Sequence, residues 1–314
     1  MKDNFNGVIS IISSLKVKYV FLALIFMGIY GLFRCLSLHT MIRHFNKDFK
    51  FIKTVRNSLI TVFFNGTTPF SSGGQPVQIY FLSKEGVDIE KSTAIVVQNF
   101  VVYQFVLILF GVFAITCNSI FHIFDKIPLL SRLTFFGFMI NFVVMLLLLI
   151  ISYTHRPDNF ILLKSVDILH KFKLIKNKTR VKKNLNKKIK QFYNSACELK
   201  HHKMIYFKCF IYNFLGFLFL YSIPYILILS VSSGSSMDYL KSLVSIAYVM
   251  LIGSFVPIPG GSGGLEYAFS KFFGLYIVNY ITSSLIIIWR FITYYFGMIL
   301  GACALATTNK FRNK

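Results

Sequence analysis

The chain alternates between long apolar runs and short polar connections, and this pattern predicts membrane-crossing helices. A helix that spans a bilayer needs about 20 consecutive apolar residues, and several runs approach or exceed that length. We therefore predict an all-α polytopic membrane protein with about eight hydrophobic segments. Their approximate bounds are 19–37, 57–83, 93–117, 134–153, 205–231, 240–257, 265–280 and 282–307.

Two of the apolar regions are interrupted by proline, glycine and polar residues. The first interruption reads NGTTPFSSGGQP (65–76) and the second reads PIPGGSGGLE (257–266). Both contain the pattern P-x-x-S-G-G, and Pro259 follows Pro69 by 190 residues (259 − 69). Paired interruptions in two halves of a chain are typical of transporters built from inverted repeats, so we predict two broken, re-entrant segments. The predicted organisation is a first membrane half (1–153), a basic segment (154–204) and a second membrane half (205–314).

Proline and glycine at the interruptions free backbone N–H and C=O groups from helical hydrogen bonds. Lipid cannot satisfy such groups, so this backbone has to be buried in protein or line a wet cavity. Free N–H groups and partial positive charge at helix N-termini after Gly74 and Gly264 would suit the phosphate of a lipid headgroup. The alternative is that the glycines only allow close helix packing. The predicted binding positions are Ser72, Gly73, Gly74, Gln75, Pro259, Ser262, Gly263 and Gly264.

Two charged residues, Glu266 and Arg290, lie within the apolar sequence of the second half. A charge at membrane depth is costly, so such residues usually pair or serve a function. We predict a Glu266–Arg290 pair that faces the headgroup cavity, and a purely structural ion pair is the alternative. Other candidates for the polar lining of this cavity are Asn65, Gln78, Gln98 and Asn99, of which we expect only one of the last two to face it.

Composition and charge agree with this reading, because 55% of the residues are hydrophobic and only 14% are charged. The net charge is +23, and the segment 155–208 holds fifteen Lys and Arg against three Asp and Glu. Positive loops favour the cytoplasmic side, so we predict a multi-pass protein of a bacterial plasma membrane with 155–208 and the C-terminus in the cytoplasm. If the region 57–83 returns to its own side, the N-terminus lies outside.

Apolar residues recur among the lysines of the basic segment, which predicts an amphipathic helix on an anionic lipid surface. A docking surface for a protein partner is the alternative. A nucleic-acid partner is not expected, because no recognition motif accompanies the charge. We also expect no metal and no cofactor: the five cysteines form no C-x-x-C pair, the histidines form no H-E-x-x-H motif, and no Lys-Ser/Thr follows the glycines.

Three stretches, TPFSSGGQPVQIYFLSKEGV, PIPGGSGGLEYAF and RFITYYFGMILG, together resemble the lysylphosphatidylglycerol synthase transmembrane region, a flippase-like family. The resemblance covers most of the chain. It implies lipid translocation, with Ser72–Pro76, Pro259–Gly264, Glu266 and Arg290 at the motif positions. Two-part members of that family add a soluble aminoacyl-transferase domain. This sequence ends at Lys314, seven residues after the last predicted span, so we expect no lysyltransferase chemistry and no catalytic residues.

The sequence therefore predicts a membrane protein that moves a lipid with a phosphate or aminoacyl-phosphate headgroup, such as lysylphosphatidylglycerol or a polyprenyl phosphate. No ATP-binding motif is present, so movement would be passive or coupled to an ion gradient, with Glu266 as a candidate proton carrier. One alternative is a membrane subunit of a phosphatidylglycerol lysyltransferase system whose transferase is a separate chain. A second alternative is a non-transporting scaffold, and a homo-oligomer is compatible with each.

Overall fold

The computed structural model describes residues 15–153, 178–231 and 237–312, and these residues form helices and connecting turns without any strand. The predicted all-α class is therefore confirmed for this part of the chain, whereas the residues 154–177 of the basic segment lie outside it. The helices, in chain order, are α1 (Val17–Phe45), α2 (Phe51–Thr67), α3 (Gly74–Lys84), α4 (Ile89–Phe121), α5 (Pro128–Tyr153), α6 (Lys178–His201), α7 (Lys203–Ser230), α8 (Tyr239–Gly253), α9 (Gly264–Phe273), α10 (Asn279–Arg290) and α11 (Phe296–Arg312).

Five helical units in the described ranges, rather than the eight segments predicted, are long and apolar enough to cross a membrane. They are α1, α4, α5, α7 and the unit Asn279–Thr308, in which a π-helical turn (Phe291–Tyr295) joins α10 to α11. The other predicted segments correspond to α2, α3, α8 and α9, which have 17 residues or fewer. At about 1.5 Å per residue, none of these four reaches much beyond 25 Å. The proline- and glycine-rich interruptions end these helices early.

The short helices form two antiparallel pairs, which we call the first hairpin (α2 and α3) and the second hairpin (α8 and α9). In the first hairpin, Arg56 near the start of α2 forms an ion pair with Glu85 just after α3. In the second hairpin, the ammonium group of Lys241 at the start of α8 lies 5.5 Å from the ring centroid of Tyr276, just after α9. Each chain segment therefore returns to the level at which it began.

The two hairpins open toward opposite ends of the helix bundle. At one end, which we call the α6 end, His44 of α1 lies 3.2 Å from Glu198 of α6. The start of α2 follows α1 there, so the first hairpin opens at the α6 end. At the other end, the Lys16 N–H donates to the Ser230 carbonyl (3.1 Å), and the Tyr276 hydroxyl donates to the Ile123 carbonyl (3.0 Å). The second hairpin and the start of α1 therefore lie at the end opposite α6.

Helix α11 runs antiparallel to α2, which brings the end of α11 to the α6 end of the bundle. The Cα atom of Gly301 lies against the backbone of Leu59, and that of Gly66 against the side chain of Met298. A side chain at Gly301 would overlap the Leu59 carbonyl, so glycine permits this close approach of the two helices. The described C-terminal residues therefore share one side with α6.

Apolar side chains cover much of the outside of the bundle as well as its core. Helix α5 shows this clearly, with Phe135, Phe136, Leu147 and Ile150 each more than half exposed. Soluble monomers rarely expose contiguous apolar surface of this kind. Inside, the rings of Phe110, Phe217 and Tyr221 pack within 6 Å of one another and join α4 to α7. The apolar outer surface fits contact with lipid.

Candidate functional site

The two interruptions of the sequence fold into turns with the same backbone conformation. The first turn (Pro69–Ser71) is a single 3₁₀ turn whose second and third residues have left-handed φ values of 53° and 51°. The second turn (Pro259–Gly261) is also a 3₁₀ turn, and its second and third residues both have a φ of 64°. Left-handed φ is uncommon outside glycine and often marks a functional constraint. The sequence repeat is therefore a repeat of local structure over these three residues, whereas the glycines that follow differ, with a φ of −76° at Gly73 and 83° at Gly263.

The shared proline and serine explain why both turns close in the same way. In the first turn, the N–H and hydroxyl of Ser72 both donate to the Pro69 carbonyl, at 3.2 and 2.9 Å. In the second turn, the N–H and hydroxyl of Ser262 donate to the Pro259 carbonyl, at 3.4 and 3.1 Å. Each serine thus satisfies the carbonyl of the proline three residues earlier, which has no α-helical donor in this turn, and this is the use of the P-x-x-S pattern.

The two turns contact each other directly, and Tyr294 of the π-helical turn links the two hairpins. The Tyr294 hydroxyl donates to the carbonyl of Gly66, just before the first turn, at 2.7 Å. The ring of Tyr294 occupies the space beside Gly260 in the second turn, where a Cβ atom would overlap it. One aromatic side chain therefore touches the backbone of both interruptions.

Arg290 holds the second turn from the adjoining long helix. Its side chain is only 6% exposed, and its Nε lies 2.7 Å from Oε1 of Glu266. The Nε–H bond is not aligned with a carboxylate oxygen, so this contact is a charge pair rather than a hydrogen bond. Nη2 donates to the Gly260 carbonyl at 2.9 Å and to the Ser262 hydroxyl at 3.2 Å, and the guanidinium lies 4.5 Å from the Tyr294 ring centroid. The structure thus contains the predicted ion pair.

Glu266 has a second contact, because it also caps the helix that follows the second turn. Its Oε2 accepts the N–H of Gly263 at 2.7 Å, as expected for a glutamate in the first turn of a helix. The Glu266 side chain remains 28% exposed, in contrast to that of Arg290. Glu266 is therefore the accessible member of the ion pair.

The backbone N–H groups at the helix starts are occupied by acceptors from the protein itself. The Gly73 N–H donates to Thr68 Oγ1 at 2.8 Å, and the Gly74 N–H donates to Asn65 Oδ1 at 2.9 Å. The Gly263 N–H is taken by Glu266 as described. Free N–H groups after Gly74 and Gly264 stay a prediction, but the amides of Gly73, Gly74 and Gly263 already have acceptors within the protein. The physical reason is that unsatisfied backbone groups are costly, and nearby side chains cap them.

Comparison with known proteins assigns the chain to a family. The sequence pattern of the lysylphosphatidylglycerol synthase TM region matches residues 2–301. The chain belongs to this family. It is also similar to a UPF0104 membrane protein of Archaeoglobus fulgidus, with 25% identity over 262 residues that cover 80% of this chain and 75% of that protein. Family membership and the five long apolar helices make the chain a multi-pass membrane protein of a family connected with lipid metabolism or flipping.

The turns, Glu266 and Arg290 all lie within the part that matches the lysylphosphatidylglycerol synthase TM family, but not all predicted polar residues join them. Gln75 is half-buried at the start of α3, and Gln78 is buried one turn later. The backbone carbonyl of Gln78 accepts a hydrogen bond from Asn57 Nδ2 at 3.2 Å. Asn65 caps α3. These residues belong to the first hairpin and lie next to or just beyond its turn.

Gln98 and Asn99 have their hydrogen-bond partners in two clusters away from the turns. Oε1 of Gln98 accepts from the hydroxyls of Tyr153 and Tyr206, at 2.8 and 2.9 Å. Oδ1 of Asn99 accepts from the Ser37 hydroxyl at 2.6 Å. Both side chains are buried, so their polarity serves packing between α4 and its neighbours.

Two further candidate functional residues, Tyr294 and Arg34, are not among those selected from the sequence. Tyr294 gives no signal in the sequence, because it stands among other aromatic residues in RFITYYF. Arg34 does give a signal, since no other Lys, Arg, Asp or Glu occurs between Lys18 and Arg43. A single arginine in an apolar run is a functional candidate by the same argument that selected Arg290.

Proposed function

We propose that the protein moves a lipid headgroup across the membrane where the first and second turns meet. The observation that carries this proposal is the pair of hairpins with equal turn conformations, opposite openings and direct contact between the turns. Inverted repeats of this kind place a substrate site at the repeat interface in secondary transporters. We infer that both hairpins are re-entrant, each from one side of the membrane.

Polar atoms at the turns support a wet site rather than a lipid-facing one. Ser71 and Ser72 are exposed at the tip of the first hairpin, and Glu266 is partly exposed beside the second turn. Irregular backbone at membrane depth is tolerated only where it is buried in protein or lines a water-filled cavity. Exposed hydroxyls and a carboxylate therefore favour a hydrated path for a headgroup, with the lipid tails remaining outside among the apolar helices.

The chemistry of the site favours a phosphate or aminoacyl-phosphate headgroup. The guanidinium of Arg290 fits a phosphate group, and the partly exposed carboxylate of Glu266 fits an ammonium group or a proton. Lysylphosphatidylglycerol carries both groups, and a polyprenyl phosphate carries the first. We propose a lipid of this class as the substrate.

We infer the orientation of the protein in the membrane from its charge distribution. Helix α6, the region around Arg43 and the end of α11 share one side, and all three are rich in Lys and Arg. We predict that this side is cytoplasmic. A cysteine introduced at the exposed position Lys190 of α6, in a cysteine-free background, should resist an impermeant thiol reagent in intact cells and react after permeabilisation. Strong labelling of intact cells would contradict the orientation.

A reconstitution assay tests the transport proposal. Purified protein is placed in vesicles that contain a trace of chain-labelled fluorescent phosphatidylglycerol, lysylphosphatidylglycerol or phosphatidylcholine. Dithionite bleaches only the label in the outer leaflet, so a protein that moves lipid exposes the inner pool as well. We expect loss of the protected pool for one of the two phosphatidylglycerol lipids, in the presence or absence of a proton gradient. Protection equal to that of protein-free vesicles for every lipid, under both conditions, would contradict the proposal.

A further inference from the structure

Helix α1 contains an arginine deep in its apolar stretch that takes no part in the two turns. At about 1.5 Å per residue, Arg34 lies about 24 Å along the helix from Lys18 and about 14 Å from Arg43. A bilayer core is about 30 Å thick, which places Arg34 well inside a membrane crossed by α1. A cation at such a depth needs a partner.

The protein fixes this guanidinium with neutral groups. Nη1 of Arg34 donates to Oδ1 of Asn213 at 2.9 Å, and the guanidinium carbon lies 4.3 Å from the ring centroid of Tyr103. Asn213 is itself held, because its Nδ2 donates to the Cys209 carbonyl at 2.8 Å and to the Ser37 hydroxyl at 2.9 Å. Its amide oxygen is thereby aimed at Arg34. The arginine is positioned but its charge is not neutralised.

No carboxylate of the described residues lies within 4.0 Å of Arg34, whereas Arg290 and Arg56 each have one. A guanidinium offers five N–H donors, and the described contacts of Arg34 use one of them. The nitrogens Nε and Nη2 of Arg34 have no hydrogen-bond partner among the described residues. Neither is fully buried, so both keep accessible surface. One turn earlier, a Cβ atom at Gly31 would meet no atom within 4 Å. Open space therefore adjoins α1 one turn before a positioned, unneutralised cation.

We propose that Arg34 binds a phosphate group, as carried by an anionic phospholipid or by free phosphate. A guanidinium matches the planar spread of phosphate oxygens with two parallel hydrogen bonds, which a lysine cannot reproduce. Asn213 and Tyr103 serve as positioning residues for this contact. The inference goes beyond the transport proposal, because binding at Arg34 occurs whether or not the lipid is carried to the other leaflet.

Binding to the purified full chain in detergent tests this inference without any transport step. Native mass spectrometry records bound phosphatidylglycerol, diacylglycerol (which has no phosphate) and inorganic phosphate for the wild type and for three variants. Arg34→Gln removes the charge. Asn213→Asp keeps a hydrogen-bond partner for Arg34 but supplies an internal negative charge. Arg132→Gln is the matched control, because Arg132 is exposed near the start of α5.

We expect the wild type and Arg132→Gln to bind phosphatidylglycerol in preference to diacylglycerol. Arg34→Gln and Asn213→Asp should each weaken this binding about tenfold or more, which corresponds to about 1.4 kcal/mol. If Arg34→Gln does not fold, Asn213→Asp decides. Binding of inorganic phosphate alone, lost in the same variants, would assign the site to free phosphate. Binding to Asn213→Asp equal to the wild type, or equal binding of diacylglycerol and phosphatidylglycerol, would overturn the inference.

Discussion

Replacing Arg290 with Gln is expected to lower the free energy of unfolding by about 3 kcal/mol and to abolish lipid movement. Breaking a buried ion pair costs about 3–5 kcal/mol because the remaining charge is stranded, and the partial exposure of Glu266 favours the lower end. The substitution also removes the donor to the Gly260 carbonyl and the Ser262 hydroxyl. Denaturation of the purified protein in detergent measures the first effect, and the vesicle assay measures the second.

Glu266→Gln is expected to destabilise about as much as Arg290→Gln, because it strands the charge of Arg290, whose side chain is only 6% exposed. It does so although a glutamine can still accept the Gly263 N–H and Arg290 keeps its carbonyl, hydroxyl and aromatic contacts. The matched control is Asp88→Asn, which removes the exposed pair between Asp88 and Lys91. Exposed pairs of this kind contribute about 1 kcal/mol or less. A loss of stability in Asp88→Asn as large as that in Arg290→Gln would contradict the special role of the buried pair.

The double variant Glu266→Gln/Arg290→Gln separates a structural clamp from a transport site. With both charges gone, no charge is stranded, so much of the stability should return. We expect this double variant to fold and to remain inactive, because the headgroup or proton loses its charged contacts. Normal lipid movement by the folded double variant would show that the Glu266–Arg290 pair has only a structural role.

Gly260→Ala is expected to destabilise the protein by at least about 2 kcal/mol and to disturb the contact between the turns. A left-handed φ costs a non-glycine residue about 1–2 kcal/mol, and the new methyl group would overlap the ring of Tyr294. Overpacking adds about 1–3 kcal/mol. Gly28→Ala is the control, since Gly28 lies in α1 where an added Cβ meets nothing within 4 Å. We expect the control to be neutral or slightly stabilising, and equal melting temperatures for the two variants would contradict the account.

The sequence predicts the turns well because their chemistry is local. Proline sets the start of each turn and serine closes it three residues later, so the P-x-x-S part of the pattern carries its own geometry. The Glu266–Arg290 pair follows equally from the cost of isolated charge at membrane depth. The left-handed conformation of Phe70 is not predictable in this way, because phenylalanine rarely adopts it. It becomes evident only when the first turn is compared with the second, where Gly260 occupies the same position.

Tertiary contacts account for the features that the sequence does not predict. The count of about eight hydrophobic segments is not confirmed, because apolar composition does not reveal where a broken helix turns back, and α8 is apolar but shorter than a spanning helix. The sequence does not show that Thr68 and Asn65 accept from the amides of Gly73 and Gly74, respectively. Gln98 accepts a hydrogen bond from Tyr206, which is distant in sequence, so the sequence alone does not show which polar residues Gln98 contacts.

The central claim is that a lipid headgroup passes between the two turns inside the membrane, and photolabelling tests it most directly. The protein is reconstituted with a phosphatidylglycerol that carries a diazirine either on its headgroup or at the end of an acyl chain, and labelled peptides are identified after irradiation. The account predicts that the headgroup probe labels the segments Pro69–Gly74 and Pro259–Gly264. The chain probe should label the exposed apolar face of α5 around Phe135 and Leu147. Headgroup labelling confined to the helix ends and connecting loops, with neither turn labelled, would contradict the claim.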